Sequence, residues 1–367
     1  MRVLLVSHGA GPYGAETVLL TLAEGLRDRG YDVILDFPHP GPALETARTF
    51  SGVTVRVTPR PRLPRNLREG VPFFLGIPQA VGVLCRLVRE VRPQVTWVNS
   101  LFNPWAALGA HLARSPVIWH LHERVPGFPL GTLAAMAMGI TAQQIVVISN
   151  YLSGTLSMYP WLRKRQALLP NPLLHPLSPL PNEPAGPFTV GFAGQFERQK
   201  RVPDLVRAVA RIPDAHAILV GDGKARGAVE EAVTETGTED RVRLLGFRED
   251  APAEFHRFHC MAIPSLRESF GLVALEAMAR GLPIVACRSG ALPEVLAGAA
   301  LFFPEKDVEA MARAIERVKE NPELRRVLRQ RGLERVKEYR KDVWLDGVEA
   351  LLANVVEGDA ADGEEMR

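Results

Sequence analysis

Two glutamates separated by seven residues are the part of this sequence best suited to chemistry. Glu268 follows the apolar strand Met261–Ile263, and Glu276 lies in the helix predicted to begin at Phe270–Gly271 and to end at Gly281. The N–H groups of such a loop and helix N-terminus suit a phosphate, whereas carboxylates suit the hydroxyls of a sugar. One site for both groups indicates a nucleotide sugar.

The segment 265–286 resembles the E-x7-E signature of the retaining glycosyltransferases of family 4, which have the GT-B fold. The likeness continues upstream in Leu219-Val-Gly-Asp-Gly and Val242-Arg-Leu-Leu-Gly-Phe, and downstream in Ser289-Gly-Ala-Leu-Pro-Glu. It covers most of residues 188–352 and, more weakly, the N-terminal half. The resemblance implies an α/β protein of GT-B type, with two Rossmann-like, doubly wound domains that face a central cleft.

Composition limits the other possibilities. A chain of 367 residues exceeds the ~250–300 residues of a single core, so two domains are expected. The formal net charge of +3 gives no reason to expect a nucleic-acid partner. The three cysteines lie far apart in apolar runs, which predicts buried free thiols, no zinc site and a reducing compartment. With no signal segment and no apolar run near the ~20 residues of a membrane span, we expect a cytoplasmic protein.

Strand-like and helical patterns alternate along both halves of the chain, which predicts parallel sheets covered by helices. A proline-dense segment at 171–187 breaks both patterns and is the predicted linker. It separates an N-terminal Rossmann-like acceptor domain, 1–170, from a C-terminal Rossmann-like donor domain, 188–342. The resemblance implies that a helix at 343–356 returns to pack on the N-terminal domain, and composition predicts a disordered tail at 357–367.

The loop after the first strand permits three interpretations. Gly9-Ala-Gly-Pro-Tyr-Gly14 matches G-x-G-x-x-G, and Asp36 ends the second strand at the distance that a dinucleotide fingerprint requires. This pattern alone makes a nicotinamide or flavin dehydrogenase an alternative, although not the leading one. Against it, Pro12 lies inside the loop, and Gly14-Ala-Glu16 resembles the Gly-Gly-Ala-Glu loop that borders the donor diphosphate and the acceptor in family 4. A tight glycine turn without a ligand is the third possibility.

The resemblance assigns further residues of the N-terminal domain to the reacting centre and the acceptor. His122 aligns with the histidine of the family's His-Asp pair and is implied to lie near the reacting carbon of the donor sugar, while Glu123 replaces the aspartate. Asn99 follows the strand Val95–Val98 and joins Glu16 and Glu123 as a candidate on the acceptor side. A histidine that only packs and an amide that only caps its loop are the alternatives.

In the C-terminal half, Lys200 matches the family lysine that faces the departing diphosphate, where an ammonium stabilises the charge that grows in the transition state. Gln195 stands where the family usually has an arginine, and an uncharged amide cannot replace a guanidinium fork. Arg198 or Arg201 is the candidate substitute. Weaker binding of the pyrophosphate, an unusual donor and loss of catalysis are the alternatives.

The resemblance implies that Glu268 holds the transferred sugar and that Glu276 binds the ribose hydroxyls. Catalysis is thereby assigned to Glu268, Lys200 and His122. The residues assigned to the nucleotide and its phosphates lie in loops that follow strands of this domain and in the helix that contains Glu276. They are Gly194, Gln195, Gly221, Phe247, Arg248, Ser269, Phe270, Gly271, Leu272 and Glu276, with Gly14 from the N-terminal domain.

The predicted function is that of a retaining, metal-independent hexosyltransferase, and the sequence has no Asp-x-Asp metal motif. A UDP- or GDP-sugar is the expected donor, and a hydroxyl of a glycan, lipid-linked or small-molecule acceptor receives the sugar without a cofactor. A sugar-nucleotide epimerase of the GT-B fold and a non-catalytic protein that binds a nucleotide sugar or glycan are the alternatives. Four arginines and an apolar run at 60–78 suit peripheral contact with the inner face of a membrane, or a loop over an acceptor.

Overall fold

The computed structural model describes the backbone of residues 1–60 and 67–365 and the side chains of residues 1–60 and 76–358. The chain divides into two units. Unit 1 comprises Met1–Leu174 together with the C-terminal segment from Lys341, and unit 2 comprises His175–Arg340. Each unit has one parallel sheet, so the predicted α/β class with two Rossmann-like domains is confirmed.

Unit 1 is built on a seven-stranded parallel sheet. Its strands are β1 (Arg2–Val6), β2 (Asp32–Phe37), β3 (Val53–Val57), β4 (Val95–Asn99), β5 (Val117–Leu121), β6 (Gln144–Val147) and β7 (Gln166–Leu168). They pair in the order β3-β2-β1-β4-β5-β6-β7. The continuous apolar run of β1 is buried, which is typical of a central strand in a parallel sheet.

Six helices lie between these strands. They are α1 (Gly14–Asp28), α2 (Pro42–Arg48), α3 (Leu67–Val91), α4 (Pro104–Leu112), α5 (Leu130–Thr141) and α6 (Asn150–Thr155), and a 3-10 helix follows at Pro160–Arg165. In α1, Val18, Leu22 and Leu26 recur at a helical spacing and are fully buried. Burial of this face fixes the helix N-terminus, and with it Gly14 and Glu16, next to the end of β1.

Unit 2 repeats the same architecture with six parallel strands. They are β8 (Thr189–Ala193), β9 (His216–Val220), β10 (Val242–Gly246), β11 (Cys260–Ile263), β12 (Ile284–Cys287) and β13 (Ala300–Phe303), in the order β10-β9-β8-β11-β12-β13. The helices are α7 (Val202–Ala210), α8 (Arg226–Thr236), α9 (Leu272–Ala279), α10 (Leu292–Leu296), α11 (Val308–Glu320) and α12 (Pro322–Arg335). Asp307 and Asn321 cap α11 and α12 by accepting the N–H groups of Ala310 and Leu324.

The C-terminal helix α13 (Lys341–Glu365) belongs to unit 1. It packs on α1, where a Cβ atom at Gly25 would lie 2.5 Å from Leu345, and Arg29 forms an ion pair of 2.7 Å with Asp346. Its backbone stays helical through most of 357–367, the segment for which composition predicts disorder. A helix propagates more easily than it nucleates, and no proline interrupts this one.

The proline-dense segment spans the division between the units. Residues 171–187, all of which the structure describes, contain no helix or strand. The N–H groups of Ser178 and Leu180 donate to the carbonyls of Ala279 and Arg280, which ties this segment to unit 2. The three cysteines are buried and unpaired, as predicted. Among the helices within the described residues, none is long and apolar enough to cross a membrane.

Candidate active site

Strand order fixes where a ligand site can form in unit 2. The order in which strands are added to the sheet reverses between β8 and β11, which are parallel neighbours. The connections that follow these two strands therefore run to opposite sides and leave a crevice at the strand ends. Crevices at such switch points are where open α/β sheets bind their ligands. The loop after β8 carries Lys200, and the loop after β11 carries Glu268.

Lys200 and Glu268 meet at this switch point although 68 residues separate them. Lys200 Nζ donates to Glu268 Oε2 at 2.6 Å, and the two side chains are 21% and 16% exposed. The pair is therefore reachable from solvent. An ammonium and a carboxylate held together here offer one group to a phosphate and the other to a hydroxyl.

The backbone around Glu268 is held by its neighbours. Leu266 N donates to the carbonyl of Gln199 at 2.8 Å, which joins the two loops directly. Ala291 N donates to the carbonyl of Glu268, also at 2.8 Å. Gly290 has a φ of 60°, and a Cβ atom there would lie 2.3 Å from the Glu268 carbonyl oxygen, so this close approach requires glycine.

Helix α9 begins immediately after this loop. Gly271 precedes its first residue, Leu272, and a Cβ atom at Gly271 would lie 3.4 Å from Glu268 Cγ, so the helix N-terminus is next to the carboxylate. Phe270 is buried and packs edge-on against Tyr339 with ring centres 5.8 Å apart. Its ring anchors the loop beside the N-terminus of α9.

Glu276 lies in the second turn of α9 and contacts His175. The distance from His175 Nδ1 to Glu276 Oε1 is 3.5 Å, with side chains 49% and 16% exposed. A hydrogen bond to Glu276 is the main cause of the raised pKa of His175. Sequence analysis missed His175 because it lies in the proline-dense segment, where no periodicity indicates which residue returns to the sheet.

The glycines assigned to the nucleotide bring neighbouring loops together. Gly194 N donates to Val220 O at 3.0 Å, and Gly221 N donates to Gly246 O at 2.8 Å, so the loops after β8, β9 and β10 are connected. A Cβ atom at Gly221 would lie 1.9 Å from the Gly194 carbonyl oxygen, so no side chain fits there. Phe247, in the last of these loops, is 60% exposed.

The arginines near Gln195, which stands in place of the family arginine, have other surroundings. Gln195 is exposed. The Arg201 guanidinium is bound to Asp204, at 2.6 Å from Nε to Oδ2. Arg198 and Arg201 both line a groove that includes neither Lys200 nor Glu268, so the expectation that one of them substitutes for the arginine gains no support. Arg248 is half exposed and lies 3.9 Å from Glu254.

In unit 1 the equivalent switch point lies between β1 and β4, and it gathers the candidates of that half. Asn99 links the N-terminus of α1 to His122. Its Nδ2 donates to Ala15 O at 3.2 Å, and its Oδ1 accepts from His122 Nε2 at 2.9 Å. Burial, with the nearby charges of His120 and His8, lowers the pKa of His122 well below its usual value. His122 is therefore neutral, with its proton on Nε2 and an acceptor lone pair on Nδ1.

Glu123 has a different setting from the acceptor-side role assigned to it. Ser100 Oγ donates to its Oε1 at 2.8 Å, and Leu101 N donates to its Oε2 at 3.2 Å. Burial raises the pKa of Glu123. Both oxygens are thus occupied by the turn after β4, and the side chain positions that turn beside His122.

Glu16 is buried beside His8 in the first turn of α1, two residues after Gly14. His8 Nε2 lies 3.7 Å from Glu16 Oε1. Burial, reinforced by the charge of Glu123, raises the pKa of Glu16 to about 7, and burial together with Arg60 lowers the pKa of His8 to about 4. Among the described residues, Glu16 Oε2 and His8 Nδ1 are buried without a hydrogen-bond partner.

Asp36, the residue that favoured a dinucleotide, is unavailable to a ribose. It is fully buried in an ion pair with Arg60, and Thr58 Oγ1 donates to its other oxygen at 2.5 Å. Arg60 Nη2 also donates to the Ser7 carbonyl at 2.6 Å. The dehydrogenase interpretation is therefore contradicted at its key carboxylate.

The same ion pair corrects part of the predicted membrane contact at 60–78. Arg60, the first residue of that segment, is buried and cannot face a membrane. Residues 61–66 and the side chains of 67–75 lie outside the described residues. Within the part of the chain that the structure describes, no cluster of His, Cys, Asp and Glu could hold a metal ion.

Comparison with known proteins defines the class. The model described as "Glycosyltransferase Family 4" matches residues 12–173, and the model "Glycosyl transferases group 1" matches residues 179–335. Together they cover both units, and the chain belongs to the family 4 type of glycosyltransferases with the GT-B fold.

Two curated relatives come from Rhizobium meliloti (strain 1021). The lipopolysaccharide core biosynthesis glycosyltransferase LpsE is 32% identical over 174 residues, which is 47% of this chain and 51% of LpsE. The chain thus spans about half the length of this relative. The lipopolysaccharide core biosynthesis glycosyltransferase LpsD is 28% identical over 348 residues, which is 91% of this chain and 92% of LpsD.

A solved structure shares the whole fold. Anabaena HepE, crystallised in complex with UDP and glucose, superposes with a TM-score of 0.81 at 20% identity, covering 96% of this chain and 99% of HepE. The predicted GT-B fold is therefore confirmed.

Proposed function

We propose that this protein is a retaining, metal-independent glycosyltransferase that moves a hexosyl group from a UDP- or GDP-sugar to an acceptor hydroxyl. The observation that supports it most is the Lys200–Glu268 contact of 2.6 Å beside the N-terminus of α9. A diphosphate and a sugar need a cation, free N–H groups and a carboxylate within a few ångströms of one another. UDP is the first nucleotide to test, because the structural neighbour HepE was crystallised with it.

In the proposed reaction, the bond between the anomeric carbon and the diphosphate oxygen breaks as the acceptor oxygen forms its bond to that carbon. Lys200 and the first-turn N–H groups of α9 donate to the departing diphosphate, whose charge grows in the transition state. The acceptor attacks from the face that the diphosphate leaves, so the configuration is retained. Its proton passes to a departing phosphate oxygen.

The carboxylates have a binding role in this proposal. Glu268 accepts hydrogen bonds from hydroxyls of the transferred sugar, and Glu276 accepts them from the ribose. Donor binding must open the Lys200–Glu268 pair, so Lys200 exchanges the carboxylate for the diphosphate and Glu268 exchanges the ammonium for sugar hydroxyls. Catalysis then depends on positioning and on preorganised charge.

Unit 1 is proposed to supply the acceptor side. Neutral His122 and Glu16, whose protonated form is favoured by burial, suit uncharged hydroxyls rather than a phosphate. The two relatives named for lipopolysaccharide core biosynthesis favour a glycan carried by a lipid as the acceptor.

A non-catalytic nucleotide-sugar binder is the second candidate, and the exposed Gln195 with Arg201 engaged by Asp204 is the observation that favours it. Release of UDP from UDP-hexoses, measured with and without a lipopolysaccharide core acceptor, separates the possibilities. Acceptor-dependent release supports transfer, and formation of an epimeric UDP-sugar without an acceptor supports an epimerase. A UDP-induced rise in the thermal midpoint without turnover of any donor would support the binder.

A further inference from the structure

Helix α5 of unit 1 exposes three large apolar residues on one face. Leu133, Met136 and Ile140 are 61%, 53% and 59% exposed, and they recur at a spacing of three and four residues. The opposite face, with Gly131, Ala135 and Met138, is buried. The helix is therefore apolar on its exposed face as well, whereas a surface helix of a water-soluble domain usually exposes polar residues there.

Neighbouring residues extend this face. Phe128 and Leu130, at the start of the helix, are 85% and 65% exposed. Met158, before the 3-10 helix, is 73% exposed, and Trp161, in that helix, is 53% exposed. A Cβ atom at Gly139 would lie 3.3 Å from the Trp161 ring. We call this surface the apolar stripe. It comprises Phe128, Leu130, Leu133, Met136, Ile140, Met158 and Trp161.

The charged residues in the chain segment that contains the apolar stripe have one sign. The sequence contains no Asp or Glu between Glu123 and Glu183, whereas it contains Arg124, Arg163, Lys164 and Arg165. Arg165 is used internally, because its Nη1 donates to the carbonyls of Gly139 and Ala142 at 2.7 Å and fixes the 3-10 helix to α5. The other three are exposed.

We propose that the apolar stripe docks unit 1 on the surface of an anionic lipid bilayer. Large apolar side chains flanked by exposed cations are the combination that inserts into the boundary between acyl chains and acidic headgroups. A second copy of the chain is a poorer occupant, since a two-fold contact would bring Arg163 and Lys164 of both copies together without an acidic residue in the segment.

The stripe also has a consequence for the acceptor, which rests on the proposed function. Phe128 lies six residues after His122, in the loop that leaves β5. An acceptor anchored in the bilayer would then have its glycan on the side of unit 1 where this loop lies. Docking itself requires no donor or acceptor, so it is testable separately from transfer.

The test is co-sedimentation of the full chain with vesicles of phosphatidylglycerol and phosphatidylcholine, compared with phosphatidylcholine alone. We expect the wild type to pellet with the anionic vesicles and to be released by high salt. Leu133→Glu combined with Ile140→Glu should lower the bound fraction at least tenfold. Leu112→Glu is the matched control, because Leu112 is 58% exposed on α4, outside the stripe, and it should bind as the wild type does.

A second readout identifies the inserted surface. Trp161 is the exposed tryptophan among the described residues, and brominated lipid should quench its fluorescence in the wild type. The fluorescence of Trp161→Phe, which comes from buried tryptophans, should not be quenched. Equal pelleting of the wild type and the double variant would overturn the proposal, as would no pelleting at all. A dimer seen by light scattering that Leu133→Glu converts to a monomer would assign the stripe to a second copy instead.

Discussion

Two ion pairs, one in each unit, have the same chemistry in opposite settings. Asp36 and Arg60 in unit 1 have side chains 0% and 1% exposed, whereas Lys200 and Glu268 in unit 2 have side chains 21% and 16% exposed. The buried pair is completed by Thr58. A pair buried in this way has no route to exchange partners, whereas a partly exposed pair has one.

The same contrast extends to the polar groups around each pair. At the switch point of unit 1, burial keeps His8 and His122 neutral and favours the protonated form of Glu16. At the switch point of unit 2, an ammonium and a carboxylate are in direct contact. Neutral donors and acceptors suit hydroxyls, and charged groups suit a diphosphate. This difference supports the proposal that unit 1 takes the acceptor and unit 2 the donor.

The largest effect is expected from breaking the buried pair. Arg60→Leu leaves the Asp36 carboxylate buried without its cation, and unit 1 should lose ~3–5 kcal/mol of its free energy of unfolding. All five tryptophans of the chain lie in unit 1, so urea unfolding followed by tryptophan fluorescence measures this unit.

The double variant Asp36→Leu with Arg60→Leu sharpens this test. Replacing both charges removes the unpaired carboxylate, so the double variant should recover much of the lost stability. If Arg60→Leu were as stable as the wild type, the pair would have no structural role. A thermal shift with NAD would reopen the dinucleotide interpretation of this site.

Breaking the partly exposed pair should change activity and leave stability intact. Lys200→Ala removes the cation that faces the departing diphosphate, and kcat should fall by ~10²–10³-fold, the usual effect of removing one preorganised donor. Steady-state release of UDP measures it. Lys337→Ala is the matched control, because Lys337 also lies 2.6 Å from a glutamate, Glu334, but on the exposed surface of unit 2. Comparable losses in both variants would remove Lys200 from the site.

The buried glutamate of unit 1 should make stability depend on pH. The folded pKa of Glu16, about 7, exceeds its reference value of 4.5, so the folded chain holds this proton more tightly. Its contribution to stability is therefore present below pH 4.5 and is lost as the pH rises to about 7, by up to about 3 kcal/mol. Relative to the wild type, Glu16→Gln should gain that amount between pH 4.5 and 8.

Urea unfolding at pH 5 and pH 8, again followed by tryptophan fluorescence, tests the sign. Glu45→Gln, at an exposed position of α2, is the control and should track the wild type at both pH values. The pKa of His8 is lowered to about 4, so its own contribution is lost as the pH falls below 6.5, in the opposite direction. A constant difference between Glu16→Gln and the wild type would contradict a raised pKa.

The sequence predicted the GT-B fold because apolar strands and helices alternate and because the glutamate block, together with the motifs around it, resembles that of family 4. It could not predict which charges are consumed by structure. Asp36 has the right type and position for a ribose ligand, but pairing of β2 with β3 brings Arg60, read as a surface residue, onto its carboxylate. Glu123 was likewise assigned from the resemblance, whereas both of its oxygens accept hydrogen bonds from the turn after β4.

Sequence analysis missed one contact and one residue that no local pattern indicates. Lys200 and Glu268 were found separately, but their contact depends on β8 and β11 being neighbours, and strand order is not encoded in periodicity. His175 gave no signal at all, since prolines surround it and its contact to Glu276 arises only when the segment folds back onto α9.

The smallest expected effect concerns His175, and it tests whether Glu276 is the ribose ligand. The raised pKa of His175 reflects its bond to Glu276, so the imidazolium competes for this carboxylate at low pH and releases it as the pH rises. UDP affinity of the wild type should therefore improve from pH 6 to pH 8, by no more than about fivefold for a half-exposed pair.

The part of the pH dependence of UDP affinity that is due to His175 should disappear in His175→Ala. The ionisation of UDP itself affects both proteins equally, so the pH dependence that remains in His175→Ala is the baseline. Calorimetry at the two pH values measures it, with His256→Ala, an exposed histidine bonded to Ala253 O, as the control. If His175→Ala instead weakened UDP binding equally at both pH values, His175 would be a direct ligand of the nucleotide. In that case the charged site of unit 2 would extend into the proline-dense segment, and Glu276 would act through its neighbour rather than alone.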